Sequence, residues 1–276
     1  MAIRFSKMHG AGNDFVLIDV RGGQSQPNAA LARAIGNRHT GVGFDQLLTI
    51  EASELPDCVA AYRIWNSDGS QAQQCGNGAR CVAAWLVRDG AASPPAFKLE
   101  SPAGVIDVEC LADGRFALDM GLPEFAPSAI PFNAAVEQAH YQAVLAGTPI
   151  SFGAVSMGNP HAVIVVDDIA QAPVTAIGPL LQAAADFPEG VNVGFAQIVS
   201  PAEINLRVFE RGAGETLACG SGACAAVAVL VRQGRVGRHV QVHLPGGMLV
   251  IDWPADAAPV RMAGPATFVF EGEWLE

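Results

Sequence analysis

The chain has 276 residues, half of them hydrophobic, and 16 Lys plus Arg against 27 Asp plus Glu give a formal charge of −11. That length supports two small domains or one large one with a real core, and the composition excludes a disordered chain. The acidic balance, with no Lys or Arg run, argues against a nucleic-acid or anionic-membrane binder, because phosphate would be repelled over most of the surface.

The opening residues, MAIRFSKMHG, lack the charged segment and apolar run of a secretory signal, and no run of about eighteen apolar residues follows. A cytoplasmic chain that meets no membrane and keeps its cysteines reduced is expected. Gly10-Ala11-Gly12 has the glycines of a nucleotide-binding loop, but strand-like FVLID follows where such a loop needs a helix. In chain order, the β-branched and aromatic runs DFVLID (14–19), YRIWN (62–66), AFKLES (96–101), VIDVECL (105–111) and RFALDM (115–120) predict strands. HAVIVVDD (161–168), LRVFE (206–210), VQVHL (240–244), MLVIDW (248–253) and TFVFEGE (267–273) continue the series. Short Gly, Asp or Pro turns of hairpin type separate many of them. CGNGARCVAAWLVR (75–88) and CGSGACAAVAVLVR (219–232) predict two helices, and residues 81–87 and 223–231 carry no charge at all, so both helices are expected to be buried. His239 and His243 share one face of a strand and are expected to be exposed. The nearest cysteine pairs are C-x5-C and C-x4-C with no adjacent His, so no metal site is expected.

The chain is written twice. Laid without a gap, 62–90 matches 206–234, sharing Arg63/Arg207, Cys75/Cys219, Gly76/Gly220, Gly78/Gly222, Ala79/Ala223 and the Leu-Val-Arg at 86–88 and 230–232. GNDFVLI (12–18) recurs as GNPHAVI (158–164), GFDQLL (43–48) as GFAQIV (194–199), and PAGVIDV (102–108) as PGGMLVI (245–251). The match lapses in the Pro- and Ala-rich stretch 124–139. The expected fold is therefore α+β, with two pseudo-symmetric domains, each a mostly antiparallel or mixed sheet wrapped around a buried central helix. The boundaries fall at 1–122 and 123–264, with 265–276 as a last strand that rejoins the first domain.

Cys75 and Cys219 occupy equivalent places, each opening C-G-x-G-A at a predicted helix N-terminus. The helix dipole and the unsatisfied first-turn N–H groups favour negative charge there, so a lowered thiol pKa and an accessible thiolate are expected. The same amides can hold a carboxylate, with Gly76, Gly78, Gly220 and Gly222 letting a ligand approach. One such cysteine would be explained as a packed cap; a matched pair points to chemistry, and Cys58, Cys81, Cys110 and Cys224 remain as packing residues. Inverting a stereocentre needs a base on one face of the carbon and an acid on the other, which two equivalent thiols in a pseudo-twofold protein could supply. Lys7 and Lys98 are the only lysines, and neither lies in a phosphate-cradling context, so no cofactor is expected. Stabilisation of the carboxylate by both helix termini would then have to offset the weak acidity of an amino-acid α-carbon.

Departures from the repeat describe the ligand. Where the first half has Asn66-Ser67, the second has Glu210-Arg211, and Asn13-Asp14-Phe15 becomes Asn159-Pro160-His161. An anion beside a cation suits a zwitterion, Arg211 for a carboxylate and Glu210 for an ammonium.

These segments resemble a known family. NSDGSQAQQCGNGAR (66–80), GETLACGSGA (214–223), MHGAGNDF (8–15) and MGNPH (157–161) are similar to the motifs of diaminopimelate epimerases, over nearly the whole chain. The resemblance implies cofactor-free interconversion of LL- and meso-2,6-diaminoheptanedioate in lysine and cell-wall precursor synthesis. It implies Cys75 and Cys219 as the acid/base pair, supported by His161 and Glu210, with Gly76, Asn77, Gly220 and Ser221 as amide donors to the reacting carboxylate. Asn13, Gln46, Asn66, Asn159, Asn192, Glu210 and Arg211 fall where the family binds substrate; a homodimer is implied as well. Family members often carry Thr at Ser221, which matters little to a backbone donor. A two-cysteine racemase of proline or hydroxyproline is the alternative enzyme, but it would leave Glu210, Arg211 and the several asparagines without a purpose. A binding module would leave the paired thiols without one.

Overall fold

Runs such as FVLI (15–18) and, but for Thr49, LLTI (47–50) have no polar alternate positions, and a strand of that kind is stable only with both faces covered. The computed structural model, which describes residues 2–23 and 26–275, shows how each is covered. The chain divides into two compact units, Met1–Asp119 with Ala263–Glu276, and Met120–Met262.

In unit 1, β1 (Ala2–Gly10) and β2 (Asn13–Asp19) form an antiparallel hairpin. Its two-residue turn places Ala11 at φ 53° and Gly12 at φ 87°, so Gly10-Ala11-Gly12 is a turn between strands. The helix α1 (Ala29–Gly36), capped by Asn28, leads to β3 (Gln46–Glu51), which runs parallel to β2. Antiparallel β4 (Ala60–Asn66) and the short β5 (Gln71–Ala72) lead into α2 (Gly76–Asp89). The chain returns as β6 (Ala96–Ser101), parallel to β4, and β7 (Gly104–Cys110) and β8 (Phe116–Asp119) continue antiparallel. Parallel neighbours need a crossover, and here the two crossovers are the two helices. They cover opposite sheet faces. Val16, Ile18 and Leu47 pack with Ile35 of α1 and with Phe44, whereas Phe15 and Leu48 lie against α2 at Gly78. Adjacent strand residues thus enter different cores, which explains the unbroken apolar runs.

Unit 2 repeats the plan. β9 (Tyr141–Leu145) pairs with β10 (Thr148–Ser156), followed by β11 (Pro160–Val165), α3 (Val174–Gln182), β12 (Asn192–Ser200), β13 (Glu203–Glu210) and β14 (Gly214–Thr216). Then come α4 (Gly220–Arg232), β15 (His239–Leu244) and β16 (Gly247–Asp252), while β17 (Arg261–Gly264) begins in unit 2 and ends in unit 1. β11 and β12 are parallel, as are β13 and β15, with α3 and α4 as the crossovers. A cluster of Phe132, Tyr141, Phe152 and Phe187 fills the face under α3, with Phe132 and Phe187 stacked at 4.5 Å. The last strand, β18 (Thr267–Leu275), pairs antiparallel with β1 in unit 1.

The fold is thus a sheet-dominated α+β arrangement, and α2 and α4 are buried on nearly every side, in keeping with their charge-free stretches 81–87 and 223–231. In β15, Val240, Val242 and Leu244 point inward and His239 stays exposed, but His243, also expected to be exposed, is partly buried. Among the described residues no helix is long and apolar enough to cross a membrane. The predicted strands all form, but β1, β3, β5, β9, β10, β12, β14, β17, α1 and α3 are additions to those read from sequence. One correspondence in the repeat is corrected by the sheet register. Phe15 pairs with Gln46 as His161 pairs with Asn192, so Gln46 matches Asn192 rather than Gln197, and GFDQLL is not the counterpart of GFAQIV.

Candidate active site

Each buried central helix begins at a cysteine. Cys75 is the N-cap of α2, its sulfur accepting from the Gly78 N–H, and Cys219 is the N-cap of α4, accepting from the Gly222 N–H. The sulfur is 3.4 Å from the Gly78 nitrogen and 3.3 Å from that of Gly222. The first backbone bonds of the helices run from Ala79 to Cys75 and from Ala223 to Cys219. The amides of Gly76, Asn77, Gly220 and Ser221 therefore lie ahead of the helical ladder, at the positive end of the dipole, where an anion is favoured.

The glycines at the third helical position have an internal reason to be there. A Cβ on Gly78 would lie 3.2 Å from Leu48, and one on Gly222 would lie 3.1 Å from both Cys219 and Val208. Their small size lets helix and sheet approach, so ligand access does not account for Gly78 and Gly222.

In unit 1, Asn13 stands where β2 leaves its turn, with Oδ1 3.7 Å from Cys75 Sγ and 3.4 Å from Asn77 Nδ2. Gln46 and Asn66 face each other across β3 and β4, and Gln46 Nε2 donates to Asn66 Oδ1 at 3.0 Å. Asp45, Asp14, Arg38 and Lys7 form a charged cluster beside Asn13. Burial alone would raise the Asp14 pKa, but hydrogen bonds and charge from Arg38 and Lys7 outweigh it and hold the carboxyl well below the usual range. Lys7 is committed to this cluster through Asp14 and the Gly43 carbonyl; Lys98 sits on β6.

In unit 2, Asn159 Oδ1 is 2.9 Å from His161 Nε2. His161 is buried, and burial, followed by the Arg211 charge, pushes its pKa down to about 3, so the imidazole is neutral. Asn192 is buried too; its Nδ2 donates to the Pro160 carbonyl at 3.2 Å, and its Oδ1 accepts from the Arg211 amide at 2.8 Å. Glu210 ends β13 and accepts from Thr216 Oγ1; Arg211, just beyond the strand, donates through Nη1 to the Glu189 carbonyl at 2.7 Å. Glu210 and Arg211 are thus held by different partners. Ser221 Oγ lies 3.7 Å from Cys219 Sγ.

The expectation of a lowered thiol pKa does not hold for Cys219. Burial pushes it well above the ordinary value, the Glu210 carboxylate pushes in the same direction, and Ser221 and the Gly222 N–H only partly oppose them. The helix terminus is outweighed by desolvation, and the resting form is the thiol. Of the remaining cysteines, Cys81 and Cys224 are buried, and Cys58 and Cys110 are only partly so. Sequence reasoning passed over Asp45 and Thr216, although Asp45 precedes Gln46 directly and Thr216 lies in the GETLACG segment.

The diaminopimelate epimerase family model matches residues 5–126 and 153–269. A diaminopimelate epimerase of Xanthomonas axonopodis pv. citri is 59% identical over 273 residues, covering 99% of this chain and 96% of its own. One from Xylella fastidiosa strain M12 is 55% identical with the same coverage. A hydroxyproline epimerase from Agrobacterium vitis, solved with trans-4-hydroxy-L-proline, shares the fold with a TM-score of 0.71 at 16% identity, over 99% of this chain and 92% of that one.

Proposed function

Because the chain belongs to the diaminopimelate epimerase family, a family of isomerases, we propose that it interconverts LL- and meso-2,6-diaminoheptanedioate by proton transfer between two cysteines and the substrate α-carbon. The observation that carries this reading is the paired N-cap: one cysteine at the mouth of one buried helix in each unit, with equivalent sheet positions occupied by amide or charged side chains. The reaction would serve lysine and cell-wall precursor synthesis in the cytoplasm.

In one direction Cys75, as thiolate, takes the α-proton, and the electron pair left on carbon delocalises into the α-carboxylate. Charge then grows on oxygens held by the first-turn amides of Gly76, Asn77, Gly220 and Ser221, where fixed dipoles stabilise it. Cys219, as thiol, gives its proton to the opposite face, so one proton leaves the carbon and one arrives. The reverse reaction exchanges the roles. The raised pKa of Cys219 suits the donor role, and the Glu210 carboxylate beside it keeps that proton in place. His161, being neutral, adds no charge that would turn Cys219 into a resting thiolate. Asn13, Gln46, Asn66, Asn159, Asn192 and Arg211 bind the rest of the substrate, with Arg211 supplying the cation for its distal carboxylate. The engagement of Lys7 with Asp14 supports a reaction without a lysine-anchored cofactor.

The alternative, a racemase of proline or hydroxyproline, draws on the shared fold, but such a substrate has no distal group for Arg211. The test is α-proton exchange in deuterated water with LL-diaminopimelate and proline side by side. Exchange with diaminopimelate alone is expected, and Cys75→Ala or Cys219→Ala should reduce it at least about 100-fold, the usual scale of a lost acid or base. Exchange with proline alone would overturn the substrate, and full activity in either variant would overturn the mechanism.

A further inference from the structure

Asn13 lies between groups that settle which way its amide points. Its Nδ2 is 2.8 Å from Asp45 Oδ2, and a carboxylate only accepts hydrogen bonds, so the NH2 end faces Asp45. Oδ1 is thereby turned to Cys75 Sγ at 3.7 Å and to Asn77 Nδ2 at 3.4 Å. Asn77 is fixed from its other end. Fully buried Arg80 donates from Nη2 to Asn77 Oδ1 at 2.7 Å, and a guanidinium only donates. Both ends of the line are anchored, Arg80 by the Pro265 carbonyl at 3.3 Å and Asp45 by Arg38 Nη2 at 2.8 Å. The series Arg38, Asp45, Asn13, Asn77, Arg80 admits one setting of both amides.

Resting on the reading of Cys75 as an acid/base group, we propose that Asp45 and Arg80 are positioning residues that act through Asn13 and Asn77, so that Cys75 meets a carbonyl oxygen and not an NH2 group. An oxygen accepts from the S–H, aims its proton and favours the thiol; an NH2 group there would favour the thiolate. Unit 2 is wired differently. The register places Val191 where unit 1 has Asp45, the repeat places Cys224 where it has Arg80, and Asn159 is held at its Oδ1 end by His161. The two thiols therefore stand in unlike surroundings although their helices match.

Besides Asn13, the Cys75 sulfur feels Tyr62 from β4 and Cys81 from its own helix. Burial raises both, Cys81 to about 12, so neither titrates near neutrality. Asp14, Asp45, Arg38 and Lys7 are the charges around Asn13. The test uses Asp45→Ala in the whole chain, because the Asp45 side chain is 47% exposed whereas loss of buried Arg80 threatens folding. Iodoacetamide alkylation of Cys75, read by peptide mass spectrometry from pH 5 to 10 without substrate, reports the thiolate. Without Asp45 the Asn13 amide keeps only the longer, 3.4 Å contact from Asn77 Nδ2 and can turn, so the rate profile should move to lower pH. At pH 7 alkylation should be about three- to tenfold faster, with an unchanged plateau at high pH. In an Asn13→Ala background the same substitution should produce no displacement. A raised plateau without displacement would mean simple loosening, and an equal displacement without Asn13 would mean direct action of charge; either overturns the proposal. No substrate is involved, so failure of the parent to epimerise diaminopimelate would sink the functional reading and leave this one standing.

Discussion

Burial decides the charge state of both His161, where the Arg211 charge adds to it, and Cys219, where Ser221 and the Gly222 N–H oppose it. The His161 imidazole has a folded pKa near 3 and an ordinary unfolded value near 6.5, so between these limits the unfolded chain binds more protons. Its contribution to stability is complete above pH 6.5 and is lost as pH falls toward 3. From pH 7 to 5 the loss should be about 2 kcal/mol, and urea unfolding of His161→Gln should show a fall smaller by that amount. An equal fall in parent and variant would mean that the ring is not buried neutral. Arg211 belongs at the same scale. If it holds the distal carboxylate, Arg211→Met loses a charge-assisted hydrogen bond of about 1.5–3 kcal/mol, hence roughly tenfold to a hundredfold in kcat/KM; a negligible loss would return it to the solvated surface. Cys75 and Cys219 stand out in the sequence because the repeat keeps them, and the Glu210-Arg211 pair because the copies differ there. The raised pKa of Cys219 was not legible there, since it depends on how completely the chain encloses the sulfur.

At the scale of the element, capping and chemistry separate cleanly at the helix mouths. Serine is a preferred N-cap, so Cys75→Ser should leave thermal stability within about 1 kcal/mol of the parent while abolishing nearly all turnover. A large loss of stability would mean that the thiol is held for packing. The approach of β10 to α4 is tighter still: a Cβ on Gly153 would fall 2.4 Å from Val229 Cγ1. Gly153→Ala should therefore cost about 1–3 kcal/mol in urea unfolding, despite the usual gain from replacing glycine. α2 and α4 could be read from their charge-free runs. α3 could not, because Gly178 and Pro179 interrupt it and its stability comes from packing over the aromatic cluster of unit 2. β12 and β10 were hidden in the same way by Gly194, Pro149 and Gly153. The hairpins at Ser101-Pro102-Ala103-Gly104 and Leu244-Pro245-Gly246-Gly247 were plain, because turn chemistry is local.

At the scale of the molecule, the repeat accounts for one sheet plan used twice, including the order of parallel and antiparallel neighbours. It misassigned GFDQLL because a short motif recurs by chance more easily than a register does. A duplicated unit also suits a reaction that must treat the two faces of one carbon alike, and that is the central claim. It is tested most directly by converting LL-diaminopimelate partway in deuterated water and examining product and remaining substrate by NMR. A proton removed on one face and supplied from the other should leave the meso product with deuterium at the inverted α-carbon while unreacted LL substrate keeps hydrogen. Product that retains the original hydrogen, or deuterium entering the remaining substrate as fast as it enters product, would contradict the two-thiol account.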